Sequence, residues 1–486
     1  MSFDAAECIS LHNTIVARAI AQLPAELQPS VVRNWFTAYN VDVLDPGLPI
    51  ELTEPLKEFL SGIDIVKPRG QARRIAFTPF LVGISSPEDM VPDLWEMFPG
   101  YGQFLKLYTN NGEDPGGLVM YLDEHTVAFL ETCEDEPHEI GYGSFEGALR
   151  RYLAYIDAGK FVVDTSYELG DYGDGSAIEG WRYQGYLPLE MEATLNIWNQ
   201  LVDTIASKMP GSLMAESNES MIPLSVLDRY PAIPLFAREF LSRAKAPPFK
   251  TIAPKLQVPD EDFIDRVGTQ LDQLYEPATD PSQIRIPTAN FLLFPWTSSG
   301  VPFASRDDED RWVLNRRLLD NRAGLYTAPD GIMTNGVSML LPFPIGSNGH
   351  VLRADGTKID KPCHDSLYDH GVCDTNMPAH RTSLEAVLAS WGAMIVNGDW
   401  KVDANGVAGG EEMWRMADTE EHAELFQVEM LCNPPERDHD EEQGGGEGEE
   451  SHNDSGDEAV GAEDCEEGDG EQDMPGVRKR KRDDSV

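Results

Sequence analysis

Ser144-Phe-Glu-Gly-Ala-Leu-Arg-Arg-Tyr-Leu-Ala-Tyr-Ile-Asp-Ala-Gly-Lys-Phe-Val-Val-Asp164 and Ser383-Leu-Glu-Ala-Val-Leu-Ala-Ser-Trp-Gly-Ala-Met-Ile-Val-Asn-Gly-Asp-Trp-Lys-Val-Asp403 are one 21-residue pattern written twice, 239 positions apart (383 − 144). Eight positions are identical: Ser144/Ser383, Glu146/Glu385, Leu149/Leu388, Ala154/Ala393, Ile156/Ile395, Gly159/Gly398, Val163/Val402 and Asp164/Asp403. The pattern predicts one helix running into one strand. Each serine is a good N-cap, and Glu146 and Glu385 place a carboxylate in the first turn, at the positive end of the helix dipole. Cap and acid are two residues apart, so this is not a capping box. Phe145, Leu149, Tyr152 and Ile156 line one helical face, as do Leu384, Leu388, Trp391 and Ile395, and each stripe should be buried. Gly159 and Gly398 stand where a left-handed C-terminal cap is needed. Phe161/Val163 and Trp400/Val402 then alternate as a half-buried strand does.

Further landmarks repeat. Leu107-Tyr108-Thr109 precedes the run Gly117-Leu-Val-Met-Tyr-Leu122, and Leu325-Tyr326-Thr327 precedes Gly336-Val-Ser-Met-Leu-Leu341. The offset is 218 there (325 − 107) and 239 at the helix, so the second copy holds 21 extra residues between these landmarks. Downstream, Glu179-Gly-Trp-Arg182 is a weaker counterpart of Glu412-Met-Trp-Arg415. Outside the duplication, helices are predicted over 4–23, 30–41 (with Trp35 and Phe36), 188–209, 232–244 and 261–275. A strand is predicted over 75–82, with Pro79 marking a sheet edge, and a hairpin at 118–121/127–130 around Asp123-Glu124-His125.

The fold class these features predict is α+β, with an internal duplication. We divide the chain into an N-terminal helical region (1–65), a first α+β copy (66–210), a helical, proline-rich connector (211–288), a second copy with its 21-residue insertion (289–432), and an acidic tail (433–486). Hydrophobic residues make up 41% of the 486 positions, enough for cores in the body. Six cysteines without regular spacing argue against a secreted disulfide scaffold. The N-terminus lacks the pattern of a secretory leader and no run reaches membrane-spanning length, so a soluble intracellular chain is expected.

Net charge is −46. Residues 436–473 hold 18 acids against one arginine, set among Gly, Ser and Gln with almost nothing apolar. That composition cannot form a core and predicts disorder. From residue 436 to the end, 20 acids against 6 bases give −14, which leaves −32 of the −46 for residues 1–435. So acidic a body repels phosphate backbones and argues against direct nucleic-acid binding, leaving basic proteins, histones being the abundant class, as natural partners. Arg478-Lys479-Arg480-Lys481-Arg482 has the density and placement that a nuclear import receptor reads; its plainer role is counter-charge to the tail. Ser451 and Ser455 each precede an acid by three positions, the pattern acidophilic kinases prefer, and phosphate there would deepen the charge.

One segment has metal-site chemistry. Cys363, His364, His370, Cys373 and His380 fall within 18 residues (363–380), near His350. Zinc takes four thiolate or imidazole ligands tetrahedrally, and Cys363, His370, Cys373 and His380 could supply them, clipping a loop with no core of its own. The spacing matches no standard finger and the paired Cys-x2-Cys is absent, so a polar turn capped by Asp365, Asp369 and Asp374 is the competing account. No nucleophile elbow, phosphate-cradling loop, dinucleotide fingerprint or complete calcium loop occurs. Neither a catalytic nor a cofactor-binding residue is therefore assigned.

The stretch 383–418, with Gly-Asp-Trp-Lys-Val-Asp-Ala-Asn-Gly-Val-Ala-Gly-Gly at 398–410 and Met416-Ala-Asp-Thr-Glu-Glu-His422 overlapping its end, resembles a segment found in uncharacterised proteins of filamentous fungi; the predicted helix ending at Met209-Pro210 is similar in style. The resemblance implies a source and no residue role. The function expected is a non-enzymatic nuclear binding or regulatory protein, its tail engaging basic proteins and its basic terminus an import receptor. The alternatives are a cytoplasmic location and an enzyme or accessory factor of fungal metabolism, possible zinc included, with a site between the two copies.

Overall fold

A computed structural model describes residues 3–22, 28–44, 47–48, 51–67, 81–90, 104–110, 117–130, 143–164, 180–211, 219–274, 290–297, 322–328, 336–368 and 382–428, apart from isolated positions within them. The chain divides into two units, Met1–Pro435 and Glu436–Val486, and every described residue lies in the first. The fold class is α+β. In chain order the first part contains α1 (Ala5–Gln22), β1 (Ser30–Arg33), α2 (Trp35–Tyr39), α3 (Glu54–Gly62), β2 (Asp64–Lys67), β3 (Leu81–Ile84), β4 (Phe104–Asn110), β5 (Gly117–Tyr121), β6 (Thr126–Leu130), β7 (Gly143–Ser144), α4 (Phe145–Ala158) and β8 (Phe161–Asp164). The second runs through β9 (Gly180–Tyr183), α5 (Pro188–Lys208), α6 (Leu224–Leu227), α7 (Leu235–Arg243), β10 (Thr251–Ala253), β11 (Leu256–Gln257), α8 (Glu261–Leu274), β12 (Phe291–Pro295), β13 (Gly324–Thr327) and β14 (Val337–Leu340). It ends with α9 (Leu384–Asn397), β15 (Val402–Asp403), β16 (Gly406–Val407), α10 (Glu411–Arg415), a 3-10 turn and α11 (Ala423–Phe426).

The two 21-residue stretches fold alike. The Ser144 hydroxyl accepts the Gly147 N–H at 3.0 Å and the Ser383 hydroxyl the Ala386 N–H at 3.1 Å, so α4 and α9 begin at matching residues. Gly159 (φ 82°) and Gly398 (φ 90°) close them in the left-handed region, and a strand follows each. The stripes Phe145/Leu149/Tyr152/Ile156 and Leu384/Leu388/Trp391/Ile395 are buried, each side chain contributing roughly 1.5–3 kcal/mol through loss of apolar surface.

Two hydrophobic cores result, one drawn from residues 3–161 and one from 191–428. We call their surroundings the first and second lobes. This partition differs from the boundaries expected from sequence. The 1–65 region supplies the first core with Cys8, Ile15, Trp35 and Phe59, while α5, expected to close the first copy, buries Met191, Trp198, Val202 and Ile205 in the second. The proline-rich 211–288 stretch also buries Ile222, Phe240, Ile252 and Leu271 there. Its prolines therefore punctuate a segment that belongs to that core rather than lying outside it.

Each lobe sets a long helix beside a capped one in the same direction. In the first, the Asp4 N–H meets Glu146 Oε1 at the starts of α1 and α4, and Arg18 meets Asp157 at 3.3 Å near their ends. In the second, Lys208 at the end of α5 donates to the carbonyls of Ile395 and Val396 at the end of α9. An antiparallel meander accompanies each pair: β3-β4-β5-β6-β7 in the first lobe and β12-β13-β14 in the second. A separate sheet, β11-β10-β16-β15, contains the parallel pairing of β10 with β16.

Two local expectations change. Residues 30–41 are not one helix: the β-branched pair Val31-Val32 joins β1 to β2, and the helix starts only after Asn34, whose Oδ1 accepts the Thr37 N–H. The strand expected at 75–82 is described from Leu81, as β3; its earlier part lies outside the described residues. The hairpin forms as β5 and β6, with His125 taking the positive φ its turn requires.

Candidate functional site

Of the four residues expected as zinc ligands, only Cys363 is described; His370, Cys373 and His380 lie outside the described residues. Cys363 is half-buried and exchanges both backbone hydrogen bonds with Ile345 (2.8 and 2.9 Å). The His364 carbonyl accepts the Leu341 N–H at 2.8 Å, and its imidazole Nδ1 lies 3.1 Å from the Leu341 carbonyl oxygen. The segment therefore begins on an isolated antiparallel bridge between Cys363 and Ile345. It also reaches the second core: Leu367 and Tyr368 are buried, and Tyr368 Oη accepts the Trp391 Nε1–H at 2.8 Å. Tyr368 holds φ at +66°, a region a bulky side chain enters only when its surroundings fix it. The Thr382 hydroxyl supplies part of that fixing by donating to the Tyr368 carbonyl at 2.8 Å. The premise of a loop with no core of its own is thus corrected at its start. Among the described residues no group of three or more His, Cys, Asp or Glu is placed to hold a metal ion. Ser451, Ser455 and Arg478, Lys479, Arg480, Lys481 and Arg482 lie outside the described residues.

Three polar assemblies went unread in the sequence. Asp418, 5% exposed, accepts the backbone N–H of Gly346 (2.9 Å) and Asn348 (3.0 Å) on Oδ2 and that of His350 (3.1 Å) on Oδ1. Its carbonyl accepts the Asn348 side-chain amide at 3.0 Å. One carboxylate thereby orders the Gly346-Ser-Asn-Gly-His350 turn, whose alternate N–H groups converge on it much as donors converge on an anion in a nest. Gly346 (φ 94°) and Gly349 (φ 70°) permit that shape and were the legible signal. The anion the nest receives is the protein's own.

His12 sits on the buried face of α1, with Nδ1 2.8 Å from Tyr108 Oη and Nε2 2.9 Å from the Asp64 carbonyl. The Nε2–H tautomer satisfies both: it donates to the carbonyl and accepts the phenol. Burial lowers the imidazole from its ordinary 6.5 to about 4, against the opposing pull of the Asp64 carbonyl. Burial also raises the phenol of Tyr108 well above its usual range and the thiol of Cys8, the latter helped by Glu146, Glu7 and Asp4. All three groups are thus held neutral near pH 7. Cys8 is no nucleophile there, since the thiolate is the reactive form.

The third assembly lies where the lobes join. Lys160, 5% exposed, follows Gly159 and donates from Nζ to Glu190 Oε2 at 2.6 Å. The same oxygen accepts the Leu187 N–H at 2.7 Å, at the start of α5. Burial lowers the ammonium's pKa while Glu190 pushes it back up. Glu385, in the first turn of α9, is raised by burial and then by the charge of Glu190. The duplicated pattern has aspartate, Asp399, at the position of Lys160, and that mismatch inside a matched stretch was the available signal.

Among the described residues no helix is long and apolar enough to cross a membrane. No protein-family model, curated protein or solved structure matches this chain.

Proposed function

We propose that this chain is a non-enzymatic nuclear binding or regulatory protein, in which two lobes descended from one duplicated unit carry an acidic tail that engages basic proteins such as histones. The observation that carries this reading is the partition of charge and chemistry. Eighteen acids crowd into residues 436–473, and five cations follow at 478–482. The buried titratable groups His12, Asp418 and Lys160, by contrast, are bound up in hydrogen bonds within the folded body. Long-range attraction from the tail would recruit a basic partner, and the folded lobes would give selectivity. Arg478–Arg482 would serve import, and phosphate at Ser451 or Ser455 would strengthen the tail's charge.

Descent from one unit is supported by more than the capped helices. Lys57-Glu58-Phe59-Leu60-Ser61 in α3 has a counterpart in Arg238-Glu239-Phe240-Leu241-Ser242 in α7. Both phenylalanines and both leucines are buried, and α3 and α7 pack on α1 and α5 respectively.

The test compares the full chain with a variant whose acids at 436–473 are replaced by their amides, each titrated with core histones. Binding at about 0.1 M salt should weaken at least about tenfold at about 0.5 M, as screening shortens the reach of charge. The amide variant should lose most of it. Affinity indifferent to salt and to the substitutions overturns the reading. In cells, replacing Arg478–Arg482 with alanines should abolish nuclear accumulation of the full chain.

A further inference from the structure

Ser86-Pro87 is the only Ser-Pro pair in the 486 residues, and it opens a turn that its own side chain helps to hold shut. Serine followed by proline suits the first two positions of a type I turn. The Asp89 N–H closes that turn on the Ser86 carbonyl at 3.1 Å. The Ser86 hydroxyl donates to Asp89 Oδ2 at 2.6 Å and accepts the Asp89 N–H at 3.3 Å. Glu88 and Asp89 are exposed, and Ser86 and Pro87 are half-buried. The hydroxyl thus lies at the surface, engaged with a single carboxylate.

On both sides the turn is tied into the first lobe. Just before it, the Ser85 N–H donates to the Leu107 carbonyl at 2.8 Å, and the Ser85 carbonyl accepts the buried Trp35 Nε1–H at 2.9 Å. Just after it, the Met90 N–H donates to the Ser86 carbonyl at 3.1 Å, and the Met90 side chain is buried in the first core. The Met90 carbonyl accepts the Lys106 N–H of β4 at 2.9 Å. Asp89 is therefore the immediate neighbour of a core residue that holds β4. Phosphate on Ser86 would remove the proton that Asp89 accepts and set a charge of about −1.5 to −2 against that carboxylate, a like-charge contact that disrupts. Among the described residues no cation is paired with Glu88 or Asp89 to offset it.

We propose that Ser86 is a phosphorylation site for a proline-directed protein kinase, and that phosphate there turns Asp89 outward and loosens Met90 and β4 from the first core. In the transfer the Ser86 oxygen bonds the γ-phosphorus of ATP while the bond from that phosphorus to its bridging oxygen breaks. ADP leaves, and the hydroxyl proton passes to the kinase's base. Turning Asp89 away draws the Asp89 and Met90 N–H groups off the Ser86 carbonyl, and the Lys106 N–H loses the acceptor that Met90 supplies. Phosphate at Ser451 or Ser455 would add charge to an acidic segment, whereas phosphate at Ser86 acts on the packing of one lobe. The inference is independent of the function proposed above.

The experiment treats the full chain with a proline-directed kinase and magnesium ATP and locates the phosphate by peptide fragmentation, which separates Ser86 from Thr78, the residue before Pro79. Hydrogen exchange is then followed by mass spectrometry on peptides of β4 and, in the second lobe, β13. Phosphate should be found on Ser86, and Pro87→Ala should lose it. In the phosphorylated chain the amides of β4 should exchange about tenfold faster, while those of β13 keep their rates. Asp89→Asn, phosphorylated alike and compared with its own unphosphorylated form, should show little of that acceleration, because the amide offers no charge to repel. Should the asparagine variant not fold, Asp89→Ala makes the same test. No phosphate on Ser86, phosphorylation that survives Pro87→Ala, unchanged exchange of β4, or equal acceleration in the folded Asp89 variant would each overturn the proposal.

Discussion

In the first lobe the ends of the α1/α4 seam are tied by side-chain charges, Glu7 to Arg150 and Arg18 to Asp157. In the second, Lys208 donates instead to the backbone carbonyls of Ile395 and Val396. The interiors differ in the same sense. The first core keeps a hydrogen-bonded His12 beside Tyr108 and a T-shaped trio of Phe3, Phe59 and Phe145. The second stacks Trp198 on Phe294 at 5.6 Å and runs Trp391, Trp400 and Trp414 together, each of Trp198, Trp391 and Trp414 with its indole N–H satisfied. Even the meanders drift: Thr109 stands opposite Gly117, whereas Thr327 stands opposite Val337, one position past the matching Gly336. What the lobes share is cap chemistry and an apolar stripe. A parallel helix pair needs only those, and what fills the interior is free to diverge while volume and hydrogen bonding are satisfied.

The sharpest way to break the comparison is at Asp418, which has no counterpart among the polar contacts of the first lobe described above. Asp418→Ala leaves the N–H groups of Gly346, Asn348 and His350 without their acceptor in a buried turn. A loss of roughly 3 kcal/mol or more follows from stranding several donors at once. Urea titration followed by tryptophan fluorescence should show it, since Trp198, Trp296, Trp391, Trp400 and Trp414 all belong to the second core. Asp418→Asn, which retains one acceptor oxygen, should fall between the two.

His12 distinguishes the lobes by pH. Folded, it takes up its proton only near pH 4; unfolded, near its ordinary 6.5. Between those values the unfolded chain binds more protons, so stability present above pH 6.5 is lost as pH falls toward 4, by about 3 kcal/mol in all. Exchange of α4 amides, in the first core, should report that loss, and His12→Gln should flatten the part of the profile between pH 6.5 and 5, where few carboxylates titrate. A profile unchanged by the substitution would mean that the imidazole is not held neutral.

Much of this architecture was legible because caps and stripes are local. Ser144, Gly159, Ser383 and Gly398 state the helix ends outright, and periodicity marks Phe145 to Ile156 and Leu384 to Ile395 as buried faces. The partition into lobes was not legible, because a helix between two copies shows an apolar stripe without showing which core receives it; α5 lies adjacent in sequence to the first copy and packs in the second. Residues 30–41 depart from the helical expectation for a related reason: Trp35 and Phe36 carry a helical signal, but the Val31-Val32 pairing with Val66 and Ile65 depends on residues more than thirty positions away. Asp418, Lys160 and His12 are ordinary residue types whose roles exist only through distant partners, at separations of 72, 30 and 96 positions. The Cys and His residues, conspicuous for their crowding, gave the weaker lead, since Cys363 pairs with Ile345 in an antiparallel bridge and the His364 carbonyl is taken by the Leu341 N–H.

The gentlest test asks whether the shared feature is energetically shared. At both Gly159 and Gly398 a methyl group would meet nothing within 4 Å, so alanine there costs only the left-handed backbone, with no steric clash added. That conformation disfavours an L side chain by about 1 kcal/mol, reduced slightly in neither lobe more than the other by the stiffer unfolded chain. Gly159→Ala and Gly398→Ala should therefore cost the same amount despite their different surroundings, Lys160 following one cap and Asp399 the other. Equal shifts in the urea midpoints of α4 and α9 exchange would establish the cap as the common element. An excess at Gly159 would instead show that displacing its neighbour Lys160 costs energy of its own, because moving that backbone drags a buried ammonium off Glu190, while Asp399 has no comparable anchor among the contacts described above.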